Sequence, residues 1–223
     1  MKLIVVGSNS AGNTYLLTNG QETLVIDCGV RMAEVKKALD FQILSIVGAI
    51  VSHGHLDHNG RSNEYEAAGV RVWRPYEAES LRQDTHIGNF HVRSFDAVHD
   101  VPCCGYLIEH PELGKLLYAT DTEYVRYRFR GLTAMLIEAN YDDRYIDRYE
   151  AKFRHVVTGH MSLQTTMSCI EENSADLRNV ILCHLSGTNG SPVEFKQMVD
   201  EIVPPGCQVD VAVPGLVVDL WRN

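Results

Sequence analysis

At 223 residues, 45% of them hydrophobic, the chain can bury one large core, and a single domain over residues 1–223 is the expectation. A formal charge of −9 at pH 7 argues against a surface that wraps polyanions as a whole, although a local basic strip or bound metal ions would still meet phosphate. No apolar run approaches the ~18 residues of a membrane span, and the first six residues are too short and weakly charged for a signal peptide. The chain therefore reads as cytoplasmic, without membrane contact.

Strand-like pieces open the chain over 3–6, 14–18 and 23–26, separated by Gly, Asn and Ser. Residues 32–39 carry helical spacing in Met32, Val35 and Leu39, with Lys36 and Lys37 turned outward. The run 46–51 is short and nearly all apolar, as in a strand buried on both faces. Further strands are predicted over 70–73, 90–93, 105–108, 115–119 and 134–137. Charges at Asp143, Arg144, Asp147, Arg148, Glu150, Lys152 and Arg154 suggest a solvated helix face. The last third predicts a helix over 162–173, a strand over 180–183 and a helix over 192–202, then strands over 209–212 and 217–220. Ser191 before Pro192 marks a helix start. Hairpins early and strand–helix alternation late point to two sheets covered by helices on their outer faces.

None of the six cysteines (28, 103, 104, 169, 183 and 207) has C-x-x-C spacing, as expected of small buried hydrophobes in a reducing compartment. The adjacent Cys103 and Cys104 leave a redox question open.

Residues 52–58 read Ser-His-Gly-His-Leu-Asp-His, directly after the apolar run. Three imidazoles and a carboxylate in one tight turn point to a metal site, because neutral imidazole is a good donor to divalent cations near pH 7. His99, Asp121 and His184 each follow a predicted strand, and strand ends along one sheet edge can converge on one cleft.

With these residues the chain resembles the metallo-β-lactamase superfamily, whose H-x-H-x-D-H signature stands here as His53, His55, Asp57 and His58. The resemblance implies an α/β (α+β) fold, a four-layer αββα sandwich, and a centre of two divalent metal ions. By that resemblance His53, His55 and His99 hold one ion, Asp57, His58 and His184 hold the other, and Asp121 bridges. Nitrogen-rich ligation with carboxylates suits zinc first, with manganese or iron as alternatives. A bridging water made acidic by two cations would be the nucleophile. Asp27 resembles the family's supporting aspartate, and it equally suits a turn start.

Two further residues select the chemistry. Glu138 ends a predicted strand, and His160 stands in Thr158-Gly-His-Met-Ser162. Together they resemble the nucleic-acid-processing branch that includes RNase Z, where a Glu orients a His that protonates the leaving oxygen. Alone, His160 would pass as a helix N-terminal residue. Five short stretches, among them Gly7-Ser-Asn-Ser-Ala-Gly-Asn13 and Ile137-Glu-Ala-Asn-Tyr-Asp142, resemble the YycJ/VicX-like hydrolases, associated with exonuclease activity. The flexible arm with which RNase Z grips tRNA has no counterpart.

The resulting expectation is a metal-dependent hydrolase, a phosphodiesterase or nuclease acting on nucleic acid or a small phosphodiester, with no obligate protein partner. Its catalytic residues are Asp57, His160 and Glu138. The alternative is a hydrolase of a small thioester, lactone or cyclic phosphodiester. Arg126-Tyr-Arg-Phe-Arg130 reads as a solvated turn or as a phosphate contact near Asp121. Ser186 and the loop 187–190 either turn the chain or offer N–H groups to phosphate.

Overall fold

The computed structural model describes residues 1–146 and 153–220, with backbone alone for residues 154 and 155. Strands β1 (Lys2–Gly7), β2 (Thr14–Thr18) and β3 (Thr23–Ile26) form an antiparallel meander, and helix α1 (Met32–Ala38) leads to β4 (Ile46–Ile50), parallel to β3. Short helices α2 (Leu56–Asn59) and α3 (Ser62–Ala67) precede β5 (Val72–Trp73). A second meander runs through β6 (Asp84–Ile87), β7 (Phe90–Asp96), β8 (Cys104–His110) and β9 (Gly114–Ala119). Then come β10 (Ala134–Glu138), α4 (Phe153–Gly159), α5 (Leu163–Glu172), β11 (Asn179–Cys183), α6 (Pro192–Asp200), β12 (Gln208–Val211) and β13 (Val217–Asp219). Among the described residues the sheets have the orders β13-β1-β2-β3-β4-β5 and β12-β11-β10-β9-β8-β7-β6.

Three apolar clusters define four layers. Between the sheets, Leu3, Leu17, Leu24 and Ile26 meet Phe90, Tyr106, Leu116 and Leu136. Outside the first sheet, Leu16, Val25 and Val51 pack on Met32 and Val35 of α1 and Tyr65 of α3. Outside the second, Leu117, Met135, Ile137 and Leu182 pack on Leu163 and Ile170 of α5 and Phe195 of α6. This is the αββα sandwich. Strands β2, β3, β10 and β11 are buried at every position because both faces are covered. Ile46 and Val47 at the start of β4 are only half-buried, so that strand is enclosed at its C-terminal end alone.

Several elements differ from their sequence expectation. Strand β6, α2 and α3 lack the clean periodicity that betrays a strand or helix, being short and half-exposed, and tertiary contacts set them. Arg144 lies in a turn rather than on a helix, paired with Asp142 at 2.7 Å and Glu194 at 3.3 Å. Asp147, Arg148, Glu150 and Lys152 lie outside the described residues, as does the Arg154 side chain. The six cysteines are unpaired, and five are buried. None of the helices among the described residues is long and apolar enough to cross a membrane.

One buried carboxylate ties the two sheets together. Glu22, in the β2–β3 turn, accepts from Asn89 N (3.0 Å) and Nδ2 (2.9 Å) in the β6–β7 turn and from His110 Nε2 (2.8 Å) at the end of β8. Burial pushes its carboxyl up, but the Asn89 and His110 donors outweigh that and hold it below its ordinary value. A carboxylate with a depressed folded pKa stabilises above its unfolded pKa, and the effect fades as pH falls through the folded value. Glu22→Gln should therefore cost about 1–3 kcal/mol at pH 7. Urea unfolding should show the gap to the parent protein narrowing at pH 3. A gap of equal size at both pH values would show that the charge contributes nothing.

Candidate metal centre

The cleft forms where strands of both sheets stop. Asp27 follows β3, residues 52–58 follow β4, His99 lies beyond β7, Asp121 beyond β9, and His184 directly after β11, while Glu138 is the last residue of β10. Strands β3 and β4 run parallel in one sheet and β9, β10 and β11 in the other, so within each sheet C-terminal ends deliver side chains to one edge. Asp27, Asp121 and His184 adopt φ of 58°, 48° and 52°, a left-handed backbone that non-glycine residues rarely take. Such strain gathers at functional sites because it aims side chains that regular strand geometry would not. Gly29 lies so close to the Asp57 carbonyl that any Cβ would collide with it. That approach lets Asn13 N donate to Asp57 O (2.7 Å) and Cys28 N to His58 O (2.7 Å), fixing the His-rich turn.

Three donor groups share the Asp121 carboxylate: two contain the His-rich turn, and the third joins Asp121 to Glu138, His160 and His184. His53, His55, His99 and Asp121 each offer one atom, all within 4.8 Å of one another. Asp57, His58, Asp121 and His184 form a second such group. Asp121 Oδ2 stands 3.2 Å from both His53 Nε2 and His58 Nε2, and Oδ1 stands 3.2 Å from His184 Nδ1. All seven residues expected as ligands thus meet in one place.

The ring orientations come from outer partners. His58 Nδ1 donates to Asp27 Oδ2 at 2.6 Å, and His99 Nδ1 to the Gly159 carbonyl at 2.9 Å, so each Nε2 faces inward. Asp27 is itself held by Ser52 N (2.7 Å) and the Tyr118 hydroxyl (2.5 Å). It is therefore a supporting carboxylate rather than a bare turn residue. His53 Nε2 and His184 Nε2 are buried without a hydrogen-bond partner, next to carboxylate oxygens of Asp121 and Asp57. Buried imidazole nitrogens of this kind, clustered with carboxylates, fit divalent cations.

Electrostatics tell the same story. Burial pushes His53 down and His99 to about 4. Burial also opposes charge on His58, His160 and His184, yet facing carboxylates win, lifting His184 to about 9 and His160 to about 10. Asp121 stays well below the carboxylate range because His184 and His58 outweigh its burial. At His58 and His184 the facing carboxylates favour the protonated ring, and a cation bound at those rings would take the place of that positive charge.

His160 and Glu138 stand beside this set. Glu138 Oε1 accepts from His160 Nδ1 at 2.7 Å and from His184 Nδ1 at 3.0 Å, while Oε2 accepts from Met161 N and Thr122 N. His160 Nδ1 is also 3.5 Å from Asp121 Oδ1. Four residues of interest stood apart from the sequence expectations for the site. Asp100 Oδ1 is 3.1 Å from His99 Nε2, Asn13 Nδ2 is 2.9 Å from His58 Nε2, Asn140 Nδ2 donates to His184 O at 2.8 Å, and Tyr118 holds Asp27. Asp100 follows a candidate ligand directly, and Asn13 and Asn140 stand in the stretches quoted for the family resemblance. All but Asp100 act across the fold.

The cavity over this centre has a volume of about 430 Å³ and is lined by His55, Asp57, His99, Asp121, His160 and His184 together with Ser10, Asn140, Val156 and the loop 185–189. Among the described residues no Lys or Arg lines it. Ser186 Oγ accepts from Thr188 N and Asn189 N, so those N–H groups turn their own loop. Arg126 pairs with Asp96 and Arg128 with Glu172, which favours the solvated-turn reading of that segment. Cys103 is fully buried with Sγ 3.7 Å from the Asp121 carbonyl, so it packs beneath the centre.

Comparison with known proteins places the fold. The metallo-beta-lactamase superfamily model matches residues 8–84. A Bacillus anthracis protein described as exodeoxyribonuclease YycJ is 22% identical over 231 residues, covering 89% of this chain and 88% of the relative. Among solved structures, the metallo-beta-lactamase fold protein YhfI from Bacillus subtilis superposes with a TM-score of 0.71 at 17% identity, covering 97% of this chain and 98% of that one. A diphosphatase of the PhnP family gives 0.67 at 14% identity, with 100% and 99% covered. The short form of human tRNase Z gives 0.63 at 13% identity, with 99% of each chain covered.

Proposed function

We propose that this chain, a metal-dependent hydrolase of the metallo-β-lactamase fold, is a dinuclear phosphodiesterase that acts on nucleic acid or a small phosphodiester. His53, His55 and His99 would hold one cation and Asp57, His58 and His184 the other, with Asp121 shared. Zinc suits the donors first, with manganese or iron as alternatives. Divalent cations held there supply Lewis acidity toward a phosphoryl group and toward water.

The observation that carries the reading is the 2.7 Å contact between His160 Nδ1 and Glu138 Oε1 at the wall of the cleft. An alkoxide is a poor leaving group, and general acid catalysis is what phosphodiester cleavage needs beyond an activated nucleophile. With Nδ1 donating to Glu138, the proton handed to the departing oxygen rides on Nε2. Buried Glu138 keeps the ring in orientation and favours its charged form. The Asp57 carboxylate completes the second donor group and faces His184. A thiolate leaves readily without a proton, so a thioesterase has little use for this pair.

The reading includes one catalytic domain over 1–223, a cytoplasmic setting and no obligate protein partner. A second reading, hydrolysis of a small thioester, lactone or cyclic phosphodiester, draws support from the size of the cavity. The deciding experiment is a parallel assay in Zn²⁺ and Mn²⁺ with single- and double-stranded DNA, RNA, bis-p-nitrophenyl phosphate and a glutathione thioester. Turnover of phosphodiesters is expected. Efficient thioester hydrolysis with every phosphodiester untouched would replace the first reading by the second.

A further inference from the structure

We propose that the β6–β7 hairpin carries an additional cation site, built from Asp84, His86 and His91 and selective for a borderline divalent ion such as Zn²⁺, Ni²⁺ or Cu²⁺. The site is set by strand register. Ile87 and Phe90 close a two-residue turn whose Gly88 takes φ of 58°, and His86 therefore stands directly opposite His91. Directly opposed residues share a face of the sheet, and so does a residue two positions along the same strand, here Asp84. The two imidazoles stack with centroids 4.6 Å apart and planes within 12°. Asp84 Oδ1 lies 2.8 Å from His91 Nε2, and one ligand atom from each of the three residues falls within 4.8 Å of the others.

The backbone beneath is rigid, which reduces the ordering cost of binding. Ile87, Phe90 and Val92 point the opposite way into the inter-sheet core, and Glu22 clamps Asn89 in the turn. The His86 ring has no hydrogen-bond or ion-pair partner among the described residues. Arg93, opposite Asp84 in the ladder, is engaged by Glu109, which also faces Lys115. Asp84 is thus left to the imidazoles. Two nitrogens and one carboxylate, with water filling the remaining positions, favour zinc, nickel or copper over magnesium or calcium. From His91 to Asp96 an extended strand spans roughly 17 Å at ~3.3 Å per residue, so the site lies away from the cleft.

Untagged protein, stripped with chelator and re-equilibrated with Zn²⁺, should bind one equivalent more than the His86→Ala variant by elemental analysis. With Cu²⁺ the parent should show, beyond the cleft signal that both proteins share, a second imidazole-nitrogen electron paramagnetic resonance component that the variant lacks, while activity is unchanged. Equal metal counts and identical spectra in the two proteins would overturn the proposal. Both proteins share the cleft, so the difference of one equivalent stands whatever the cleft turns out to bind.

Discussion

Replacing His160 by alanine should leave metal content unchanged and slow hydrolysis of DNA or another alkyl phosphodiester by ~10²–10⁴-fold. His160 belongs to neither of the two donor groups that contain the His-rich turn, and Glu138 keeps its contacts with His184, Met161 and Thr122 when the ring is removed. The defect should depend on the leaving group. A p-nitrophenolate departs without a proton, so bis-p-nitrophenyl phosphate should be slowed far less than DNA. That contrast, read as a ratio of kcat values, separates proton donation from a general distortion of the cleft. A uniform loss on both substrates, or full activity on DNA, would remove His160 from the role.

Asp121→Asn should have the larger effect on metal. Its two oxygens reach His53, His58 and His184 at 3.2 Å, linking the two donor groups. Loss of an outer partner typically costs 10–100-fold in metal affinity, and loss of a carboxylate shared by two cations should cost more. In the His86→Ala background, elemental analysis should fall from near two ions per chain to one or fewer, with phosphodiesterase activity falling in step. Asparagine is the informative replacement because it tolerates the left-handed backbone at φ 48°, which alanine does not. Circular dichroism of the metal-free variant would confirm the fold. Two ions bound as tightly as in the parent would show that Asp121 is not shared between cations.

Much of the architecture was legible because it is written in short-range pattern. The runs beginning at Thr14, Thr23 and Ile46 and the helix begun by Ser191 and Pro192 follow from apolar spacing and punctuation. They appear as β2, β3, β4 and α6 within a residue or two. Elements fixed by partners elsewhere were not legible. The two-turn α3 depends on Tyr65 packing against the first sheet, and β6 is defined by its pairing with β7.

The centre divides along the same line. His53, His55, Asp57 and His58 sit within one turn, so their clustering is a property of the chain itself, and the strand-end positions of His99, Asp121 and His184 are likewise local. Tyr118 carries no such signal, and Asn13 and Asn140, though they stand in stretches resembling a known family, meet partners 44 or more residues away only after the strands align. The sequence by itself determined most of the strands and helices and the residue types that could bind metal, because periodicity and spacing act over a few residues. Only the tertiary structure decided that Asp121 stands between two donor groups, that Glu138 faces both His160 and His184, and that Cys103 lies beneath the centre. Those relations come from parallel strands ending at one edge and from backbone turned left-handed at Asp27, Asp121 and His184. No stretch of sequence holds both sides of them.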